Sequence, residues 1–233
     1  IATSHEALGK VAAGESFESL SLDAVRHPPD NVFVSDLKYA QAWALVWLIR
    51  NHPELKQSFS SFSTVRSFGQ FEDAEQSIDA EMWTQLAIQW PLFLHSLTEG
   101  FDTKSSWTPL KTLSKKPGAS PKSMSLDANH EWQTFELHLK RSQAVSIECT
   151  GRYVMHDQPK PWISEPQGIT IDYWRGEPLG RIVGLVISDD GRQCSPLISI
   201  GEATKVSAPF DGELWLQIND SAASRLGNSG TAK

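Results

Sequence analysis

The stretch Gly212-Glu-Leu-Trp-Leu-Gln-Ile-Asn-Asp220 sets Leu214, Leu216 and Ile218 two residues apart, the period of a strand with one face in a core. Such a strand delivers Asn219 and Asp220 to its end, where Ser221-Ala-Ala-Ser224-Arg-Leu-Gly227-Asn228-Ser-Gly230 must turn the chain. Further runs of this kind lie upstream: Trp132, Phe135, Leu137 and Leu139; Val145, Ile147 and Cys149; Ile169, Ile171 and Tyr173. Gly and Pro separate them at short intervals and no helix of more than one turn is evident. Residues 124–233 therefore read as an all-β antiparallel sandwich.

Upstream of the sandwich, residues 106–123 include Lys111-Thr-Leu-Ser-Lys-Lys-Pro-Gly-Ala-Ser-Pro-Lys122, which carries no apolar period and reads as a linker. Before it the period is helical. Leu37, Ala40, Ala44 and Leu48 recur at three- and four-residue spacing, Trp43 and Trp47 widen the stripe, and Ser35 or Asp36 can cap it. A second helix, Asp79 to Leu97, presents Met82, Leu86, Trp90, Phe93 and Leu97, with Pro91 predicted to kink or break it. Trp43, Trp47 and Trp90 are assigned to the helical core. Shorter helices fit within 53–68 and 17–25. The predicted class is α+β in two domains: an α-helical domain over 1–105, the linker, and the sandwich over 124–233.

Composition narrows the function. The chain has 233 residues, 39% hydrophobic and 21% charged, which is ordinary globular usage. A net charge of -7 leaves no basic field for phosphates, so nucleic acid is not an expected partner. The longest apolar run, Ala42 to Ile49, falls far short of the roughly 20 residues of a membrane span. Two cysteines, Cys149 and Cys194, are too few for a disulfide framework, and their pairing is left open.

Catalytic signatures are missing. His5-Glu6 lacks the second histidine of a zinc-peptidase helix, because the position one turn on is Gly9. No other histidine pair has that spacing, and His130 and His138 read as partly exposed polar residues. Neither a nucleophile elbow nor a phosphate-binding glycine loop occurs. The loop after Ile218 is the informative place. Asp220 and Asn228, with free loop carbonyls, are oxygen donors of the kind calcium takes in sets of six to eight. The same Asn, Asp, Ser and Gly residues also serve any long turn, and on spacing alone the turn is the commoner explanation.

Residues 126–233 resemble the calcium-dependent galactose-binding lectins of the bacterial PA-IL type and related galactose-binding-like β-sandwiches. The likeness lies in Val145-Ser-Ile-Glu-Cys-Thr-Gly151, in Trp162 followed by Pro166-Gln167-Gly168, in Gly180-Arg-Ile-Val-Gly184, in Ile200-Gly201 and in the Gly212 to Gly230 ending. The resemblance implies calcium held by the Asp220 carboxylate, the Asn228 amide, a Ser224 carbonyl and another carbonyl within Tyr153 to His156. Two departures matter. Gly227 stands where the family has a ligating Asn, and Asp172 and Arg175 stand where it has sugar-contacting His and Gln. Calcium binding is therefore expected to be weak or absent.

The first half resembles the helical region downstream of the catalytic helix in a gluzincin-like family of bacterial metallopeptidases, through Tyr39-Ala-Gln-Ala-Trp43-Ala-Leu-Val-Trp-Leu48, Phe68-Gly69 and Trp83 to Leu94. That likeness implies a zinc site upstream of Ile1 and no zinc in this chain. The combined expectation is a non-catalytic carbohydrate-binding or adhesion module with a degenerate calcium and sugar site. Asp172, Arg175, Asp220, Trp162 and Trp174 are its candidate sugar contacts. The alternatives are the C-terminal portion of a secreted or surface metallopeptidase and a protein-interaction β-sandwich. The lectin-like half points to an exported protein, periplasmic, cell-surface or extracellular.

Overall fold

The computed structural model describes residues 21–27, 36–64, 68–98, 100–101, 107–108, 110, 123–156 and 159–233. His5, Ser35, most of the expected linker and the first residues of the expected 17–25 helix lie outside them. The chain divides into two compact units. One comprises Ile1–His95, Leu110–Thr112 and Asp190–Gln193; the other comprises Ser96–Pro109, Leu113–Asp189 and Cys194–Lys233. Helices occupy the first half and antiparallel sheets the second, as the two sequence periods predict.

The helices are α1 (Leu22–Arg26), α2 (Asp36–Asn51), α3 (Pro53–Ser58), α4 (Phe68–Gln76) and α5 (Ala80–Ser96), with a 3₁₀ turn at Ser60–Thr64. Helix α2 buries Ala40, Ala44 and Leu48, one stripe at helical spacing. Trp43 and Trp47 are only half-buried, so the predicted stripe is narrower than expected, and Trp47 stacks on Phe93 at 5.5 Å. His52, fully buried, caps α3 by accepting from the Glu54 and Leu55 amides, and Pro53 fills the first helical position, which has no amide to lose. Asp79 caps α5 through the Met82 amide at 2.7 Å.

Helix α5 runs through Pro91, so of the predicted kink or break it is the break that does not occur. Proline removes one backbone bond and costs a helix interior about 3 kcal/mol. Here Leu86, Ile88, Trp90, Leu92, Phe93 and Leu94 are all buried around it. Each such side chain is worth about 2 kcal/mol on burial, so together they offset the loss.

The strands are β1 (Leu126–Asp127), β2 (His138–Leu139), β3 (Ala144–Glu148), β4 (Gly151–Met155), β5 (Trp162–Ser164), β6 (Ile169–Trp174), β7 (Glu177–Leu179), β8 (Ile182–Ser188), β9 (Ile198–Ser199), β10 (Ala203–Ser207), β11 (Gly212–Ile218) and β12 (Ser229–Ala232). They form sheets in the orders β1-β12-β4-β5 and β2-β11-β8-β9, with pairs β10-β3 and β6-β7. Strands β8 and β11 pair along their whole length, Gly212 opposite Ser188 and Ile218 opposite Ile182, and every residue of both is buried. Leu139, Tyr153, Met155, Ile182, Val186, Leu214, Leu216 and Ile218 belong to the core.

Three strand expectations change. Only His138–Leu139 of the 132–139 run is strand, and Glu136 interrupts it at φ 59°. The stretch Val145 to Gly151, which in the resemblance is one strand ending in a glycine, instead closes β3 at Glu148 and opens β4 at Gly151. On β6, Ile171 and Tyr173 are 75% and 56% exposed, because β6-β7 is a two-stranded hairpin whose pairing skips from Ile169 to Tyr173.

Gly180, at φ +78°, marks the turn between β7 and β8, and its carbonyl accepts from the buried Tyr153 hydroxyl at 2.6 Å. A Cβ there would stand 2.3 Å from Ser164 Oγ. Gly180→Ala is expected to cost about 2 kcal/mol or more in urea denaturation; a loss below about 0.5 kcal/mol counts against the turn. Both cysteines are free thiols. Burial pushes the Cys149 thiol up to about 11 from an ordinary 9.0. The folded state holds this proton more tightly than the unfolded chain. The contribution to stability is therefore complete below about pH 9 and lost as pH rises towards 11. Stability is expected to be lower at about pH 10.5 than at about pH 8, with Cys149→Ala removing part of that difference.

Candidate functional site

Strand β11 ends at Ile218, and the loop 219–228 returns the chain to β12 through a 3₁₀ turn at Arg225–Gly227. Asn219 and Asp220 are both buried. The Asn219 amide donates to the carbonyls of Trp174, Glu177 and Pro178, each at 3.0 Å. This fastens the β6-β7 hairpin to the end of β11. The hairpin turns through Arg175 and Gly176, both with positive φ, the two-residue geometry that suits the twist of the flanking strands.

The structure brings Asp220, Ser224 and Asn228 together. One Asp220 carboxylate oxygen accepts from the Ser221 amide at 2.6 Å and the Ser224 hydroxyl at 2.8 Å. The other accepts from the Asn228 amide at 2.7 Å. That amide nitrogen also donates to the Ala128 carbonyl at 3.3 Å, while the Asn228 oxygen accepts from the His156 amide at 3.2 Å. Chemistry fixes this orientation. Turning the amide over would set its oxygen against two other oxygens and its NH₂ against an N–H.

This donor set can be tested against calcium, which takes six to eight oxygens around one point. The Asp220 oxygens are engaged by three donors of the chain, Asn228 turns its nitrogen and not its oxygen to Asp220, and the Ser224 carbonyl accepts from the Gly227 amide at 3.1 Å. So arranged, these residues do not fit a calcium shell. Among the described residues, no group of three or more His, Cys, Asp or Glu side chains is placed to hold a metal ion. Gly227 itself has room: a Cβ there would meet nothing within 4 Å.

The sugar-contact candidates are distributed unevenly. Trp162 and Trp174 are half-buried. Trp162 meets the His156 ring edge-on at 6.0 Å, next to the His156 amide held by Asn228. Trp174 lies beside the loop through its own carbonyl. Arg175 donates to the Leu97 carbonyl at 2.9 Å, sits 5.4 Å over the Trp174 ring, and is lowered by burial to about 10. Asp172 is exposed on β6, its carboxylate accepting from the Tyr173 amide.

Two site residues escape sequence reasoning. Arg225 has no exposed surface and Glu131 almost none, and they pair at 3.2 Å. A lone arginine in a Ser- and Ala-rich loop was the available signal, but its partner lies 94 residues away. His138, expected to be partly exposed, is instead buried and pairs with Asp189 at 2.8 Å.

The chain matches no family profile and no curated protein. Among solved structures it is similar to "EclA N-terminal domain; PllA-like lectin", at 20% identity and a TM-score of 0.36, over 47% of this chain and 88% of that one. A likeness of that strength fixes neither ligand nor site.

Asp220→Ala would take one of two acceptors from the buried Asn228 amide and remove the carboxylate that accepts from the Ser221 N–H and the Ser224 hydroxyl. It is expected to lower stability by about 3 kcal/mol in denaturant titration; a cost under about 1 kcal/mol would mean that these hydrogen bonds do not hold the loop.

Proposed function

We propose that the β-sandwich is a non-catalytic carbohydrate-binding module with a degenerate calcium and sugar site, in which calcium contributes weakly or not at all. One observation carries this reading. The 219–228 loop draws together the end of β4 and the β6-β7 turn by hydrogen bonds, and so sets Trp162 and Trp174 at its margin. Half-buried indoles leave part of their apolar surface accessible to the apolar side of a sugar ring. Asp172, exposed on β6, is the carboxylate that accepts from sugar hydroxyls in this reading, while Asp220 serves through the loop that its oxygens hold. Export is the corresponding localisation, tested by fractionating the source cells.

A second reading has its own observation. Ile171 and Tyr173 are strongly exposed on β6, an edge strand of a two-stranded hairpin, and such a surface also suits a protein partner. A glycan array probed with the whole chain separates the two. The carbohydrate reading expects specific signals, followed by titration calorimetry in which Trp174→Ala weakens the best ligand about tenfold or more. An array without signal, or a hit indifferent to both Trp174→Ala and Trp162→Ala, overturns it in favour of the protein-interaction reading.

A further inference from the structure

We infer that the Arg225 guanidinium is the cation that organises the 219–228 loop, so that the form of this loop does not depend on calcium. The inference concerns the loop itself and holds whether or not the sandwich binds a sugar. Arg225 is fully buried, and its donors are nearly all placed. Its Nη1 donates to the Ile218 carbonyl at 2.9 Å and to the His130 carbonyl at 3.4 Å, its Nη2 to the Asp220 carbonyl at 2.5 Å, and its Nε to Glu131. Carbonyls from the last residue of β11 and from the start of the loop thus converge on one positive charge carried by the far side of the same loop. That convergence is what a bound cation would otherwise have to supply.

The counter-ion is equally complete. Glu131 accepts from Arg225 on one oxygen and from Ser96 at 2.6 Å and Gln217 at 2.8 Å on the other. A buried ion pair is tolerable only when its remaining donors and acceptors are met in this way. The Asp220 carboxylate, whose backbone carbonyl Arg225 holds, is satisfied separately by Ser221, Ser224 and Asn228. The loop is closed on both sides by donors of its own chain.

Hydrogen exchange of the 219–230 segment and thermal unfolding, both on the whole chain, test this. With excess chelator and with millimolar calcium chloride, the wild-type protein is expected to show the same exchange rates and a Tm unchanged within about 1 °C. Calcium-dependent protection of this segment, or a calcium-dependent rise of several degrees that Asp220→Ala abolishes, overturns the inference. Arg225→Met alone leaves Glu131 buried without its cation and is expected to lower the Tm by roughly 10 °C. Arg225→Met combined with Glu131→Leu removes both charges, so the sandwich should fold, while amides of 219–230 exchange about tenfold faster. Wild-type exchange in this double variant overturns the role given to Arg225. Because neither readout involves a glycan, a negative array leaves this result standing, and the reverse also holds.

Discussion

A guanidinium with no exposed surface obliges the chain around it to present oxygens, and the sandwich meets that demand at the end of its central strand. Arg225 draws on the carbonyls of His130, Ile218 and Asp220 and on the Glu131 carboxylate. This fixes the turn Arg225–Gly227 and with it the place where Asn228 enters β12. Asn228 in turn bonds three separate backbones or side chains, at Ala128, His156 and Asp220. His156 carries a positive φ of 63°, a conformation that costs a residue with a Cβ about 1 kcal/mol or more unless its surroundings hold it. The hydrogen bond from its amide to Asn228 supplies such a hold.

The same logic explains why β11 is buried on both faces although only one face is apolar in sequence. Leu214, Leu216 and Ile218 enter the core, while Glu213, Trp215 and Gln217 are also covered. Burying a carboxylate or an amide is costly unless it is hydrogen-bonded. Glu213 accepts from Thr134, and Gln217 donates to Glu131. Polar residues from the irregular 130–136 segment thus meet the polar face of the strand. This is a physical reason for that segment to depart from the strand its apolar residues predict: its carboxylate and hydroxyl have partners to reach that a ladder would not place.

Legibility from sequence follows the range of the interaction concerned. The stripe of α2 and the alternation of Leu214, Leu216 and Ile218 on β11 depend on local periods and could be read directly. The extent of α5 could be read too, but not whether Pro91 would break it, because there a local rule met a packing term spread over many side chains. Trp43 and Trp47 show the opposite error: large apolar side chains suggest a core, yet they are only half-buried. At the loop, Asp220 and Asn228 could be named from their residue types and Ser224 from the resemblance, and the three do meet. What spacing could not convey is the direction of the Asn228 amide, which is set by Ala128 and His156 from distant parts of the chain. Glu131 was invisible for the same reason.

Calcium and a buried arginine solve the loop problem with different consequences. A metal site ties loop order to ion concentration, since binding free energy becomes folding free energy, and the ion can accept further oxygens from a ligand. A guanidinium held by the chain is present in every folded molecule but offers only donors, and here four of its hydrogen bonds are already made within the fold. A loop organised by Arg225 therefore keeps its form under all ion conditions and gives up the coordination of hydroxyls by a cation. A ligand bound here as proposed is held by hydrogen bonds and by surfaces such as Trp162 and Trp174 instead of by a metal ion. In the proposed carbohydrate reading, affinity rests on stacking area and on the exposed carboxylate of Asp172 more than on Asp220, whose two oxygens are occupied.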